Sequence, residues 1–189
     1  MANGRFKSTS DLIWRSGKKL RQAIDHIQPP DSLTMVTVAL VVGVGTGFGA
    51  VVFIWLLGQI EQLTAQVILW TGSNIVGLAL VMGGAGIVVG FMVDHWAKEA
   101  KGHGVPEVME SLALHGARIR PRVAAIKVLA SSLTIGTGGS AGREGPIVQV
   151  GSALGSTLGQ LLHFSVERIR ILVACGAAAG ISATFNAPI

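Results

Sequence analysis

The stretch Gly136-Thr-Gly-Gly-Ser-Ala-Gly-Arg-Glu-Gly-Pro146 decides how the rest of this chain is read. It joins two apolar segments, so an ionisable Glu144 beside Arg143 is flanked by sequence greasy enough to lie in a bilayer. Charge at membrane depth is expensive and rarely idle, and its default reading is an ion pathway. The glycines leave backbone amides open to a ligand, and Pro146 stands where a helix can restart.

Composition agrees with that reading. Of 189 residues 50% are hydrophobic and 13% charged, against about 25% charged in an ordinary soluble domain. With 26 glycines and a mean hydropathy of +0.58, the chain is expected to be a polytopic helical membrane protein. Tyrosine is absent, which leaves the aromatic belt to Trp14, Trp55, Trp70 and Trp96. The single Cys175 lies in an apolar run and reads as a small buried hydrophobe, with no disulfide within the chain.

The net charge of +5 is distributed unevenly. Arg5, Lys7, Arg15, Lys18, Lys19 and Arg21 precede the first apolar span, and a second group from Lys98 to Lys127 follows the second span. Between the spans there is Glu61 and no Lys or Arg. The positive-inside rule reads this as two crossings that start and end in the cytoplasm, with a cytoplasmic N-terminus. No aromatic residues interleave with the basic ones, so no nucleic-acid partner is expected.

The polar first 33 residues carry no cleavable signal peptide. Leu12, Ile13, Leu20, Ala23, Ile24 and Ile27 suit an amphipathic cytoplasmic helix over 8–28, ending before Pro29-Pro30. It lies on the membrane surface or covers the rest of the protein; the second reading is preferred. The chain thus divides into a cytoplasmic segment, 1–30, and a transmembrane part, 31–189.

Crossings are expected near 34–58 and 75–93, with a turn at Gly72-Ser73-Asn74. Gly43 and Gly47 would form a small-xxx-small face, and Gly83, Gly84, Gly86 and Gly90 offer further close helix contacts. Segments 105–116 and 121–135 are short, 145–163 is moderately apolar and 169–187 is rich in small residues; several of these are too short or too interrupted for simple crossings. Broken helices survive at membrane depth where they are buried or line a cavity, and paired interruptions point to a transporter-type site. The fold expected is all-α, with broken and tilted helices. The close at Phe185-Asn-Ala-Pro-Ile189, with no polar tail, reads as a truncated chain.

Two constellations carry chemistry. Lys101-Gly-His-Gly-Val-Pro-Glu107 opens a helix, since Pro106 and Glu107 mark a first turn. Its amides and the positive dipole end favour an anion near His103, Gly104 and Val105, although a plain helix cap explains the same residues. The Gly-Arg-Glu-Gly-Pro loop is the second helix start. Two helix N-termini aimed at one buried spot make an anion site with no full positive charge, weak enough to release its ion. There Glu144 would compete as a tethered anion and leave on protonation. Its bland alternative is a simple ion pair with Arg143. A remote alternative is an oxidoreductase, because Gly136, Gly138 and Ala141 fit a loose dinucleotide fingerprint. That motif needs a strand before it and an acidic residue about 20 further on, and Glu167 is late for the role.

Gly142-Arg-Glu-Gly-Pro146, Gly102-His-Gly-Val-Pro-Glu107 and Phe185-Asn-Ala-Pro188 resemble, in order and spacing, the CLC family of chloride channels and proton-coupled chloride antiporters. The resemblance runs from about residue 31 to the end and implies the N-terminal half of an inverted-repeat subunit. It makes Glu144 the protonatable gate, and Gly142, Arg143 and Gly145 the loop whose amides surround the outer anion. His103 stands where many members carry a serine at the central anion. Its imidazole donates to the anion, turns away and leaves the work to Gly104 and Val105, or shifts halide preference. Lys127 matches a lysine kept near the pathway by some members, or reaches the cytoplasmic interface. The family's second half supplies a further helix N-terminus and a tyrosine, and its inner proton-transfer glutamate would fall beyond Ile189.

The function implied is chloride/proton antiport in a bacterial inner membrane. A passive voltage- or pH-gated channel and a fluoride- or nitrate-preferring member are the alternatives. Expected partners are chloride or a related anion, the lipid bilayer and a second copy of the subunit. No enzymatic activity, cofactor or metal is expected; chloride and protons are cargo.

Overall fold

The computed structural model describes residues 31–72, 75–97, 102 and 104–187. The helix expected over 8–28, Trp14, residues 73 and 74 of the expected turn, and His103 lie outside the described residues. Among the described residues there are six α-helices and no strand: α1 (Asp31–Trp70), α2 (Ile75–Trp96), α3 (Val105–Leu114), α4 (Pro121–Gly136), α5 (Glu144–Leu161) and α6 (Val166–Phe185). This is the all-α fold expected. Contacts divide the chain into two units, Met1–Thr37 and Val38–Ile189. Of the first unit only the opening turns of α1 are described; the second unit holds the rest of α1 and the other five helices.

Three helices, α1, α2 and α6, are long and apolar enough to cross a membrane. α1 differs from expectation in length: its 40 residues span roughly 60 Å, about twice a hydrocarbon core. Glu61, where the uncharged run stops, does not end the helix. No glycine or proline follows Gly58 until Gly72, whose φ of 82° closes the helix in the left-handed region. Val42, Thr46, Ala50 and Phe53 are the buried residues of α1, one stripe at helical spacing. Thr46 returns its hydroxyl to the Val42 carbonyl at 2.7 Å, so its burial costs no hydrogen bond.

α3 and α4, with 10 and 16 residues, reach about 15 and 24 Å, short of a full crossing. They are the broken helices the sequence suggested. Between them the chain turns through Gly116 and Ala117, at φ 59° and 61°. Ser156 of α5 holds that turn by donating to the Ala117 carbonyl (2.6 Å) and accepting from the Ile119 amide (2.9 Å).

The core is built around α5, where eleven of 18 residues are buried. One face meets α6 backbone to backbone. A methyl built on Gly151 would lie 2.1 Å from the Gly176 carbonyl oxygen, and one on Gly155 would lie 2.2 Å from that of Leu172. Another face of α5 meets α1, where Phe53 and Ala50 pack with Ile147. α2 joins through Met92, Val93 and Ala97, which cluster with Val123, Ile126 and Ala130 of α4.

The glycine reading of the first two crossings is corrected here. Among the described residues, no atom lies within 4 Å of where a side chain on Gly43, Gly47, Gly83, Gly84, Gly86 or Gly90 would start. Gly45 and Gly49 instead approach Leu154 and Val150 of α5. The buried stripe fixes the rotation of α1, and these two glycines flank it while Gly43 and Gly47 do not make the close contact. Cys175 is a free thiol, half-buried rather than buried.

Candidate functional site

The starts of α3 and α5 touch. Gly104 is the N-cap of α3, with proline in the first turn. A methyl on Gly104 would lie 2.6 Å from the carbonyl oxygen of Gly145, in the first turn of α5. Gly104 also sits at φ +94°, in the left-handed region where a side chain is strained. Two independent constraints therefore demand glycine there, and together they let one helix start lie on another. Each helix opens with amides that have no intrahelical acceptor and with the positive end of its dipole. The starts of the two helices are thus brought into backbone contact.

Both starts carry a carboxylate. Glu107 turns back over its own N-terminus, and its Oε2 accepts from the Gly104 amide at 2.6 Å. This is half of a capping box, since Gly104 has no side chain to reciprocate. Gly102, at φ +107°, leaves room for the other oxygen, because a methyl there would overlap Glu107 Oε1. Glu144 is the first residue of α5; it is half-buried, and its Oε2 lies 2.3 Å from where a side chain on Gly142 would begin. Gly142 and Arg143 are exposed and Gly145 is buried. Among the described residues Arg143 makes no ion pair with Glu144. Val105 is the first residue of α3.

Lys127, which the sequence places near the pathway or at the interface, is 5% exposed, and its ammonium donates to the Gly102 carbonyl. Its charge also faces that of Glu107. The loop that carries His103 is therefore held at Gly102 by Lys127 and at Gly104 by Glu107. Sequence alone does not single out Glu107 as a site residue, although its place three residues after Gly104 is the spacing of a capping glutamate.

Beside this junction a cavity of about 790 Å³ opens between α3, the turn after it and α5. Glu107, Ser111, His115, Arg118, Gln149 and Gln160 are among the residues that line it. The fingerprint reading of Gly136, Gly138 and Ala141 fails on structure, because the residues before Gly136 form α4 and not a strand.

The model of the voltage gated chloride channel family matches residues 85–189, over half of the chain. The chain belongs to the CLC family. Its helices make it an integral membrane protein of that family. It is 34% identical over 198 residues to an H(+)/Cl(-) exchange transporter ClcA of Salmonella arizonae, covering 97% of this chain and 40% of that protein. A ClcA exchanger of Yersinia pseudotuberculosis is 33% identical over 189 residues, covering 93% and 37%. A ClcB-like chloride channel protein of Ralstonia nicotianae is 36% identical over 141 residues, covering 71% and 32%. This CLC chain spans at most about two fifths of the length of these curated relatives.

Proposed function

We propose that this chain supplies the helix-start half of a chloride pathway, with Glu144 as a protonatable gate that competes with the anion, in a protein that exchanges chloride for protons. The observation that carries the reading is the backbone contact between Gly104 and Gly145, which brings two helix starts together, and helix starts favour anions. Backbone amides hold a monovalent anion without a permanent cation, so binding stays weak enough for release. Gly142, Arg143 and Gly145 would surround the outer anion, and His103, Gly104 and Val105 the central one. The fold of Glu144 back over Gly142 is what a tethered competitor at the α5 start requires. On taking a proton it loses its charge and its claim on those amides.

The ClcA relatives are named as exchangers, which favours antiport. The ClcB-like relative is named as a channel and favours the second reading, passive chloride conduction gated by the same Glu144. The exposed apolar surfaces of α1 and α2 fit lipid, in a bacterial inner membrane with the N-terminus in the cytoplasm by its charge pattern. A homodimer is proposed on family resemblance.

The test is a chloride electrode and a pH electrode on liposomes holding the full-length protein. Chloride efflux that drives protons uphill supports exchange; chloride efflux with no proton movement makes the protein a channel. His103→Ser is expected to change the chloride-to-nitrate ratio more than stability, and an unchanged ratio removes His103 from the selectivity site.

A further inference from the structure

From the geometry around α3 we infer that Glu107 is a second displaceable carboxylate: an anion taking the Gly104 amide moves it into the adjoining cavity, where Ser111 receives it. This rests on the chloride reading above and deepens it.

In the structure Glu107 spans two environments. One oxygen holds the Gly104 amide at the meeting point of α3 and α5. The same side chain lines the cavity of about 790 Å³. An anion that needs the Gly104 amide therefore has to displace Glu107, and the adjoining cavity is a space the carboxylate can enter.

That space holds buried polar groups with nothing to bind. Ser111 is 8% exposed and Gln149 3% exposed, yet the Ser111 hydroxyl and the Gln149 side-chain oxygen have no hydrogen-bond partner. Both residues line the cavity. Orphaned polar atoms at this depth are uncommon and call for an occupant. Ser111 follows Glu107 by one helical turn, so both project from the same side of α3. Gln149, across the cavity on α5, carries an amide that presents a donor or an acceptor by rotation. Lys127, which faces Glu107 and holds Gly102, keeps the loop in place while the carboxylate moves.

A static cap gives a different expectation. If Glu107 only terminates α3, Ser111 is irrelevant to the anion, and glutamine serves at position 107 as well as glutamate. The experiment is chloride titration calorimetry on the full-length protein in detergent, with Ser111→Ala, Glu107→Gln and the double variant. Glu107→Gln keeps a capping acceptor but removes the charged competitor, so chloride is expected to bind several-fold more tightly, on the order of tenfold. Ser111→Ala removes the receiving donor and is expected to weaken chloride binding about fivefold. In the Glu107→Gln background Ser111→Ala is expected to have no effect, the coupling that a cycle isolates. Ser111→Thr keeps the hydroxyl and restores wild-type affinity, which also covers the case in which Ser111→Ala does not fold.

Wild-type affinity in Ser111→Ala, or an equal loss in both backgrounds, overturns the proposal. So does Ser111→Thr behaving like Ser111→Ala. A wild-type protein that binds no chloride, or whose binding ignores Glu144→Gln, overturns the parent reading instead, so the two failures are distinguishable.

Discussion

Two pairs of helices in this chain are equally rich in glycine and use it in opposite ways. Along α1 and α2, Gly43, Gly47, Gly83, Gly84, Gly86 and Gly90 face open space. Of α2 only Gly77, Met92 and Val93 are buried, and Ile87 is 76% exposed. Along α5 and α6, Gly151, Gly155, Gly159, Gly176 and Gly180 all stand against the neighbouring helix. Van der Waals packing and backbone approach hold apolar helices together in lipid, where no hydrophobic force acts between them. The α5–α6 seam has that approach; among the described residues these six glycines of α1 and α2 have none. Glycine content marks a helix of a membrane protein, and helix phase decides whether it packs.

The sharpest way to break the contrast is a methyl in the seam. Gly151→Ala would place its Cβ against the Gly176 carbonyl and the Thr46 side chain, and overpacking of this kind is expected to cost about 3 kcal/mol. Thermal unfolding in detergent should show it as loss of the folded protein. Gly104→Ala comes next, because it collides with Gly145 and sits at positive φ. The left-handed strain alone is about 1–2 kcal/mol, and separating the two helix starts should lower chloride affinity by roughly tenfold, read by calorimetry. Ser156→Ala removes the bonds to Ala117 and Ile119 and the one from Gln160. A destabilisation of about 1–3 kcal/mol is expected, with chloride affinity kept. Gly86→Ala, with open space at its Cβ, should change least and raise the unfolding temperature slightly, by about 0.4–1 kcal/mol of reduced unfolded-state entropy. A Gly86→Ala loss as large as that of Gly151→Ala would erase the distinction between the two pairs.

The legibility of the sequence divides along the same line. Charge-free runs locate α1 and α2, and Pro106, Pro121 and Pro146 mark three helix starts, because proline is tolerated only in a first turn. The pairing of the α3 and α5 starts is legible from chemistry alone, since each loop offers amides and an acidic residue. The length of α1 is not, because the charge-free run stops at Glu61 while backbone continuity runs until a left-handed Gly72. The choice among glycines is open too, since Gly45 and Gly49 differ from Gly43 and Gly47 only by rotation about the helix. The repeat of Gly151, Gly155 and Gly159 at intervals of four is the available signal for the seam. Glu107 is hidden by its ordinariness: a glutamate in a first turn reads as a cap until Gly145 is seen beside it.

The central claim is that a carboxylate and an anion contend for amides where two helix starts meet. Chloride titration into full-length wild type and Glu144→Gln tests it most directly. The account predicts tighter chloride binding in Glu144→Gln, because a neutral amide is the poorer competitor for the first turn of α5. Equal affinity in the two proteins would contradict it.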